Sequence, residues 1–159
     1  MFKNIKNRFP VYEKNQNLIF LDTAASALKP KEMIQAVNDC YSYEYANVHR
    51  GIYSLSSNLT KKFEKTRSKV AKFISAQSDE NIIFTKSATE GINLIVEKFS
   101  EKYLSNDDEV IISYLEHHAN IVPWHIAAEK HNFKVVPLEL NAKGEIDYND
   151  LDKKINSKT

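Results

Sequence analysis

Short apolar strands alternate with amphipathic helices through the second half of the chain, and this alternation is the strongest constraint on the fold. The alternating segments, each strand followed by its helix, are 81–85, 89–103, 109–113, 121–131, 134–138 and 147–155. Such alternation is typical of right-handed βαβ units, in which helices connect parallel strands. The pattern predicts an α/β fold built on a mostly parallel sheet of roughly three or four strands.

The first half of the chain predicts helices with little sheet. Apolar positions recur at helical spacing over about 31–45 and again over about 59–74, with a turn at 47–51 between them and a short strand at 18–21. We therefore divide the chain into an N-terminal arm (1–16), a helical segment (17–80) and the βαβ segment (81–159). The last predicted helix is followed at once by Thr159, where a further strand is expected, so the chain reads as part of a longer protein.

Charge and cysteine content exclude several classes of function. The chain has 22 basic and 21 acidic side chains, a net charge of +1, which gives no electrostatic basis for binding nucleic acid or an anionic membrane. No run approaches the roughly 20 apolar residues that cross a bilayer. The one cysteine, Cys40, permits neither an intrachain disulfide nor a cysteine metal cage. Residues 1–17 resemble neither a secretory signal nor a transit peptide, so a cytoplasmic location is expected.

The segment 84–93 lies between a predicted strand and a predicted helix, at the carboxyl end of the strand, where open α/β sheets bind ligands. Ser87 and Glu90 have the spacing of a capping box, in which Glu90 returns to the Ser87 backbone N–H. The amides of Ala88 and Thr89 are then free to bind an anion such as phosphate, with the Thr89 hydroxyl as a further donor. The alternative is a capped helix that binds nothing.

Two further segments carry polar side chains in turns. His117 follows the strand at 109–113 and should face the same crevice as Ala88 and Thr89, where its imidazole could stack on a flat ring or move protons. A pair of solvent-facing or helix-capping histidines is the plainer interpretation. A zinc site built from His117, His118 and His125 is a third, although their spacing matches no zinc pattern. In the 47–51 turn, Arg50 could bind a carboxylate or cap a helix.

Together these segments resemble the SUF-type (group II) cysteine desulfurase and selenocysteine lyase family, within the class-V aminotransferase-like pyridoxal-phosphate (PLP) enzymes. The matching stretches, in order and with similar spacing, are Leu21-Asp-Thr-Ala-Ala-Ser26, Asn47-Val-His-Arg-Gly51, Phe84 to Asn93, and Glu116-His-His-Ala-Asn-Ile-Val-Pro-Trp124. The match covers nearly the whole chain. It implies the N-terminal part of the large domain of a fold-type I PLP-dependent transferase.

The resemblance also implies a role for each matching residue. Ala88 and Thr89 correspond to the pair that holds the cofactor phosphate, and His117 to the residue that stacks on the pyridine ring and assists proton transfer. His49, Arg50 and Ala25 correspond to residues that border the substrate entrance. The family's complete enzymes take sulfur from L-cysteine, leave alanine and a persulfide, work as homodimers and pass sulfur to acceptor proteins for iron–sulfur cluster assembly. No resident metal is implied.

The chain departs from the family chiefly in what it lacks. The Schiff-base lysine, the aspartate that pairs with the pyridine nitrogen and the persulfide-forming cysteine lie downstream of this point in the family, and Cys40 matches no family motif. Ser105-Asn-Asp-Asp108 also stands where a glycine-containing turn is usual. We therefore expect this chain alone to be inactive. A selenocysteine lyase and a truncated, non-catalytic binding module are the alternatives.

Overall fold

The computed structural model describes residues 4–159. Its contacts separate two compact units, one ending at Ile82 and the other running from Ile83 to Thr159. We refer to them as the N-terminal and the C-terminal unit. Among residues 4–159, no helix is both long and apolar enough to span a bilayer.

The N-terminal unit is helical, as the sequence predicts. Its α-helices are α1 (Val11–Lys14), α2 (Lys31–Asp39) and α3 (Ser54–Phe73), and a π-helical turn, Cys40–Glu44, extends α2. Short 3-10 turns lie at Ile5–Arg8 and Asp79–Asn81. Pro30 precedes the first residue of α2 in an extended conformation, φ −71° and ψ 156°, which suits a residue that has no N–H to donate.

The start of α3 differs from the prediction by five residues, because the helix begins at Ser54 and not near Leu59. Serine and asparagine favour turns when their side chains compete for backbone groups, and the segment 54–58 has three serines and one asparagine. Here the Ser56 hydroxyl bonds to the preceding turn at Asn47 O and Gly51 N, and the Thr60 hydroxyl donates to Ser56 O. Tertiary contacts therefore override the local preference.

The predicted strands at 18–21 and 81–85 are wrong. Neither segment belongs to a β-ladder, and residues 79–81 form a 3-10 turn. Ile82 does have an extended backbone, φ −100° and ψ 116°, but its carbonyl accepts from the Arg67 side chain and not from a neighbouring strand. Within residues 4–159 no segment pairs with either one, and an extended segment becomes a strand only when a neighbour takes its backbone groups.

The C-terminal unit is built on parallel strands, which confirms the α/β prediction. Its elements are α4 (Ala88–Tyr103), β1 (Glu109–Ser113), α5 (Val122–His131), β2 (Lys134–Leu138) and α6 (Tyr148–Lys154). β1 and β2 pair in parallel, from Glu109 opposite Lys134 to Ser113 opposite Leu138, and α5 connects them. The sheet described has two strands and not three or four, because 81–85 does not join it.

The core of this unit lies between the helices and the sheet. Val96 of α4, Ala127 of α5 and Phe133 form its buried centre, at 2%, 7% and 5% exposure. Half-buried Trp124 packs edge-on against Phe133, with ring centroids 6.5 Å apart. Such edge-to-face pairs contribute about 1 kcal/mol beyond their buried area. Packing in this core fixes α4 and α5 against the sheet.

The turn before β1, where the family usually has glycine, is stabilised by its own polar side chains. Asp107 has a left-handed backbone, φ 70°, a region that aspartate enters more readily than most residues. The Ser105 N–H and hydroxyl donate to Asp108 Oδ2 at 2.7 and 2.8 Å, and these bonds lower the pKa of the Asp108 carboxyl. The turn therefore forms without glycine.

Candidate functional site

The start of α4 is capped as the sequence predicts, with one difference. Ser87 Oγ accepts a hydrogen bond from Glu90 N at 3.2 Å, which confirms Ser87 as the N-cap residue. The Glu90 carboxylate bonds to the backbone N–H of Lys86 at 2.5 Å, whereas we expected it to return to Ser87. Ser87 is fully extended, φ −162° and ψ 164°, so the N–H of the preceding residue comes within reach of that carboxylate.

The next two amides form a free donor pair. Within residues 4–159, neither Ala88 N–H nor Thr89 N–H donates to a protein acceptor, and both residues are exposed. They begin a helix of 16 residues, whose dipole adds partial positive charge at this end. The Thr89 hydroxyl is a third donor beside them. Two backbone N–H groups and a hydroxyl at a helix N-terminus match the chemistry of a phosphate group.

Gly91 leaves this face of the helix open. A Cβ built at Gly91 would meet only Thr85 Oγ1, at 3.5 Å, which is an ordinary van der Waals contact. The protein itself therefore does not require glycine here. A glycine in the first turn of a helix costs about 1 kcal/mol relative to alanine, and close approach of a ligand to the backbone would explain that cost.

His117 lies in the turn that follows β1. Its Nδ1 accepts from Ala119 N–H at 3.1 Å, and Asn120 N–H donates to its carbonyl oxygen at 2.7 Å. Because Nδ1 is an acceptor, the neutral imidazole carries its proton on Nε2. The residue is exposed, so its imidazole is accessible to a ligand.

The structure brings Ala88, Thr89 and His117 to one end of the C-terminal unit. Glu101, near the end of α4, lies close to Lys130 and His131 at the end of α5, and α4 also packs against the 118–120 turn that precedes α5, so the two helices begin at the same end. β1 leads into the His117 turn and that turn leads into α5, so His117 lies at this end as well. This is the carboxyl edge of the parallel strands, where α/β proteins bind ligands.

The remaining predicted site residues lie in the N-terminal unit. Ala25 is exposed in a turn in which its N–H donates to Asp22 O at 3.2 Å. Arg50 is exposed, and within the described part of the chain its guanidinium has no hydrogen-bond or ion-pair partner. It therefore does not cap a helix here. Its five donors are available to an anion.

His49 is held by α3 with a left-handed backbone. Its φ is 69°, and its N–H donates to Thr60 Oγ1 at 3.0 Å. Its ring nitrogen Nε2 lies 3.1 Å from Glu64 Oε1, and the same carboxylate contacts Arg67 Nε at 3.1 Å through its other oxygen. α3 thus determines where the imidazole points.

Sequence reasoning missed the residues that anchor this turn. Ser56, Thr60 and Glu64 recur every four residues, which places them on one face of α3. The Ser56 hydroxyl binds Gly51 N and Asn47 O, and Thr60 and Glu64 bind His49. The four-residue spacing of these polar side chains was the sequence signal that could have identified them. Close approach also explains Gly51, since a Cβ there would lie 2.3 Å from Ser56 Oγ.

The histidines do not form a metal centre in the structure. Over residues 4–159, no three His, Cys, Asp or Glu side chains come together in a way that could hold an ion. His117 and His118 meet edge to face with ring centroids 6.3 Å apart.

Comparison with known proteins identifies the family. Residues 19–159 match the family model described as aminotransferase class-V. A cysteine desulfurase of Wigglesworthia glossinidia brevipalpis is 42% identical over 160 residues, which cover 99% of this chain and 39% of that protein. Cysteine desulfurase SufS of Plasmodium falciparum is 39% identical, over 99% of this chain and 29% of that protein.

A solved structure gives the same result for the fold. Cysteine desulfurase CsdA of Escherichia coli superposes with a TM-score of 0.84 at 36% identity, over 99% of this chain and 40% of that one. The chain thus spans about two fifths or less of the length of these relatives. The predicted resemblance is confirmed: the chain belongs to the class-V aminotransferase family, alongside cysteine desulfurases, and has the fold of the N-terminal part of the large domain of fold-type I PLP-dependent transferases.

Proposed function

We propose that the intact protein, meaning the complete natural chain that carries residues 1–159, is a PLP-dependent cysteine desulfurase. It transfers sulfur from L-cysteine to a thiol of the enzyme, so that cysteine and the thiol become alanine and a persulfide. The observation that carries the proposal is the free donor pair at Ala88 and Thr89, at the same edge of the sheet as the exposed imidazole of His117. Membership of the class-V aminotransferase family supports it.

The donors at the start of α4 suit the phosphate group of PLP. The amides of Ala88 and Thr89 and the Thr89 hydroxyl would hold the phosphate oxygens, and the helix dipole favours their negative charge. Glu90 is the one nearby carboxylate in this turn. It bonds to Lys86 N and lies 3.9 Å from Lys86 Nζ, which moderates its repulsion of an anion.

Each remaining site residue has a role in this proposal. His117 would stack on the cofactor ring, and its Nε2 would give or take a proton at the substrate. When bound, PLP supplies the electron sink on which the carbon–sulfur cleavage depends. Arg50, whose guanidinium has no partner within residues 4–159, would attract the substrate carboxylate, while His49 and Ala25 would border the entrance.

We propose that the 159 residues supply only part of this machinery. On this proposal the cofactor-binding lysine and the persulfide-forming cysteine lie in further sequence, so we expect residues 1–159 alone to release no alanine. Large apolar side chains, among them Leu21 at 89%, Ile52 at 106% and Phe73 at 88% exposure, favour further protein covering them. We further propose that the intact protein is a homodimer and delivers sulfur to an acceptor protein for iron–sulfur cluster assembly.

The test compares two chains under the same conditions. With PLP and L-cysteine, the intact protein should form one alanine for each persulfide, and with a thiol reductant it should release sulfide continuously. Residues 1–159 alone should form neither product. Alanine release from residues 1–159 alone would contradict the proposal that residues essential for the reaction lie in further sequence. Absence of turnover with L-cysteine but turnover with L-selenocysteine would replace the proposal with a selenocysteine lyase.

Thr89→Val tests the phosphate site. The substitution keeps the size and the backbone amide of Thr89 but removes its hydroxyl. A hydrogen bond to a charged group contributes about 1.5–3 kcal/mol, so the Kd for PLP in the intact protein should rise roughly 10- to 100-fold. Absorbance titration measures it. Thr89→Ser, which restores the hydroxyl, should return the Kd to within about threefold of the original, and equal losses in both variants would contradict a phosphate contact by this hydroxyl.

A further inference from the structure

One side chain, that of Asn120, ties together both ends of the segment that carries His117. Its Nδ2 donates to Glu116 Oε2 at 2.9 Å, on the residue just before His117. Its amide oxygen accepts from Trp124 Nε1 at 3.2 Å, one helical turn further along the chain. Both halves of the amide are therefore engaged, and they connect to opposite ends of the segment.

Asn120 also closes the His117 turn through its backbone. Its N–H donates to the His117 carbonyl at 2.7 Å, and the neighbouring Ala119 N–H donates to His117 Nδ1 at 3.1 Å. The His117 side chain is exposed, so packing does little to fix its rotamer. The orientation of the imidazole thus depends on where this turn points the Ala119 N–H.

Trp124 anchors the far end of the segment in the core. Its ring meets Phe133 and Phe99 edge to face, with centroids 6.5 Å away in each case. Phe133 is 5% exposed and belongs to the buried centre of the C-terminal unit. A continuous set of contacts therefore runs from the core through Trp124 and Asn120 to the turn that orients His117.

We propose that Asn120 is a positioning residue for His117. Its side-chain amide holds the 116–119 turn so that Ala119 N–H stays on Nδ1, which keeps the proton of the neutral ring on Nε2, the nitrogen available to substrate. The inference rests on the proposed function, because that function is what requires the His117 ring to be oriented. An asparagine that only stabilised the fold would leave the tautomer of His117 unchanged when replaced.

The polarity of the amide permits a specific test. Asn120→Asp keeps the shape of the side chain and the acceptor for Trp124 Nε1, but it places a carboxylate oxygen against the Glu116 carboxylate. The two charges repel, and the bond between residues 116 and 120 is lost. In the double variant Asn120→Asp with Glu116→Gln, the introduced glutamine can donate to the introduced carboxylate. The bond is then restored with its direction reversed.

The measurement is the side-chain ¹⁵N spectrum of His117 in the intact protein, together with the Kd for PLP. Wild type and the control Glu116→Gln, whose amide oxygen still accepts from Asn120, should show the Nε2–H tautomer. Asn120→Asp should give a mixture of tautomers and raise the Kd for PLP by no more than about fivefold, because the ring pairing that His117 contributes amounts to about 1 kcal/mol. The double variant should recover both values.

A second variant covers the case in which Asn120→Asp does not fold. Glu116 is exposed, so Glu116→Ala should leave the fold intact, and it removes the same hydrogen bond. It too should mix the tautomers of His117. An unchanged spectrum in Asn120→Asp, or in Glu116→Ala if the former is unfolded, overturns the proposal. If the double variant shows the same mixture of His117 tautomers as Asn120→Asp, the proposal is overturned as well.

The two proposals fail in different ways. The tautomer of His117 is observed without PLP, so it decides the role of Asn120 even if the wild-type protein binds no PLP and the proposed function is wrong. If wild type binds PLP and turns over L-cysteine while the tautomer of His117 is the same in every variant, only the positioning role of Asn120 is wrong.

Discussion

Replacement of His117 by alanine is expected to lower kcat/KM of the intact protein for L-cysteine by roughly 10²- to 10⁴-fold, the usual contribution of a positioned acid–base group. The imidazole is exposed at the carboxyl edge of β1, and its free nitrogen is the Nε2–H, because Nδ1 accepts from Ala119. Alanine removes both the proton-transfer group and the ring. Alanine production with saturating PLP measures the effect.

His117→Phe separates the two contributions of the histidine. Phenylalanine retains a flat ring for stacking but cannot carry a proton. The Kd for PLP should therefore stay within about threefold of wild type, since ring pairing contributes only about 1 kcal/mol. Activity should still fall as far as in His117→Ala. If phenylalanine restores activity, stacking and not proton transfer is the function of His117.

His118→Ala is the matched control. The two histidines are adjacent and both exposed, and their rings meet edge to face. They differ in the structure because His117 caps the 118–120 turn through its Nδ1, whereas His118 is the first residue of that turn. His118→Ala should change activity less than about threefold, as expected of a surface substitution. A large loss in His118→Ala with little loss in His117→Ala would reverse the assignment.

The sequence predicts the helices of the C-terminal unit because their ends carry local signals. The N-cap at Ser87 begins α4 one residue before the predicted Thr89, and α5 ends at His131, where Asn132 takes the left-handed conformation common after a helix. Both signals lie within a few residues of the helix they end. They need no knowledge of the rest of the fold.

Features that depend on distant partners were not predictable in this way. An apolar run such as 81–85 becomes a strand only if another strand lies beside it, and periodicity does not report that partner. The hydrogen bonds that hold the site residues in place also depend on partners elsewhere in the chain. Asn120 and Ser56 act through hydrogen bonds to a turn and to residues four or more positions away, while a motif match identifies only His117 and His49 themselves.

Gly51→Ala is expected to destabilise the N-terminal unit by about 2–4 kcal/mol, from overpacking and from the loss of buried hydrogen bonds. The new methyl would lie 2.3 Å from Ser56 Oγ and 2.4 Å from Ser56 Cβ. Ser56 is fully buried, with no exposed surface. Its hydroxyl also accepts from Gly51 N at 3.1 Å and donates to Asn47 O at 2.5 Å, so displacement of Ser56 releases the whole 47–51 turn.

Hydrogen exchange of the amides in 47–60, with the urea midpoint of unfolding, measures this loss. Gly91→Ala is the matched control, because its methyl meets only Thr85 Oγ1 at 3.5 Å. In a helix, that change should stabilise the protein by about 1 kcal/mol. Ser56→Gly combined with Gly51→Ala should recover part of the stability that Gly51→Ala loses, because it removes the two closest of the three clashing atoms and leaves only Tyr53 Cε1, at 2.9 Å. If Gly51→Ala is as stable as Gly91→Ala, then contact with Ser56 is not the reason for glycine at position 51, and the turn that presents His49 and Arg50 is held by Thr60 and Glu64 alone.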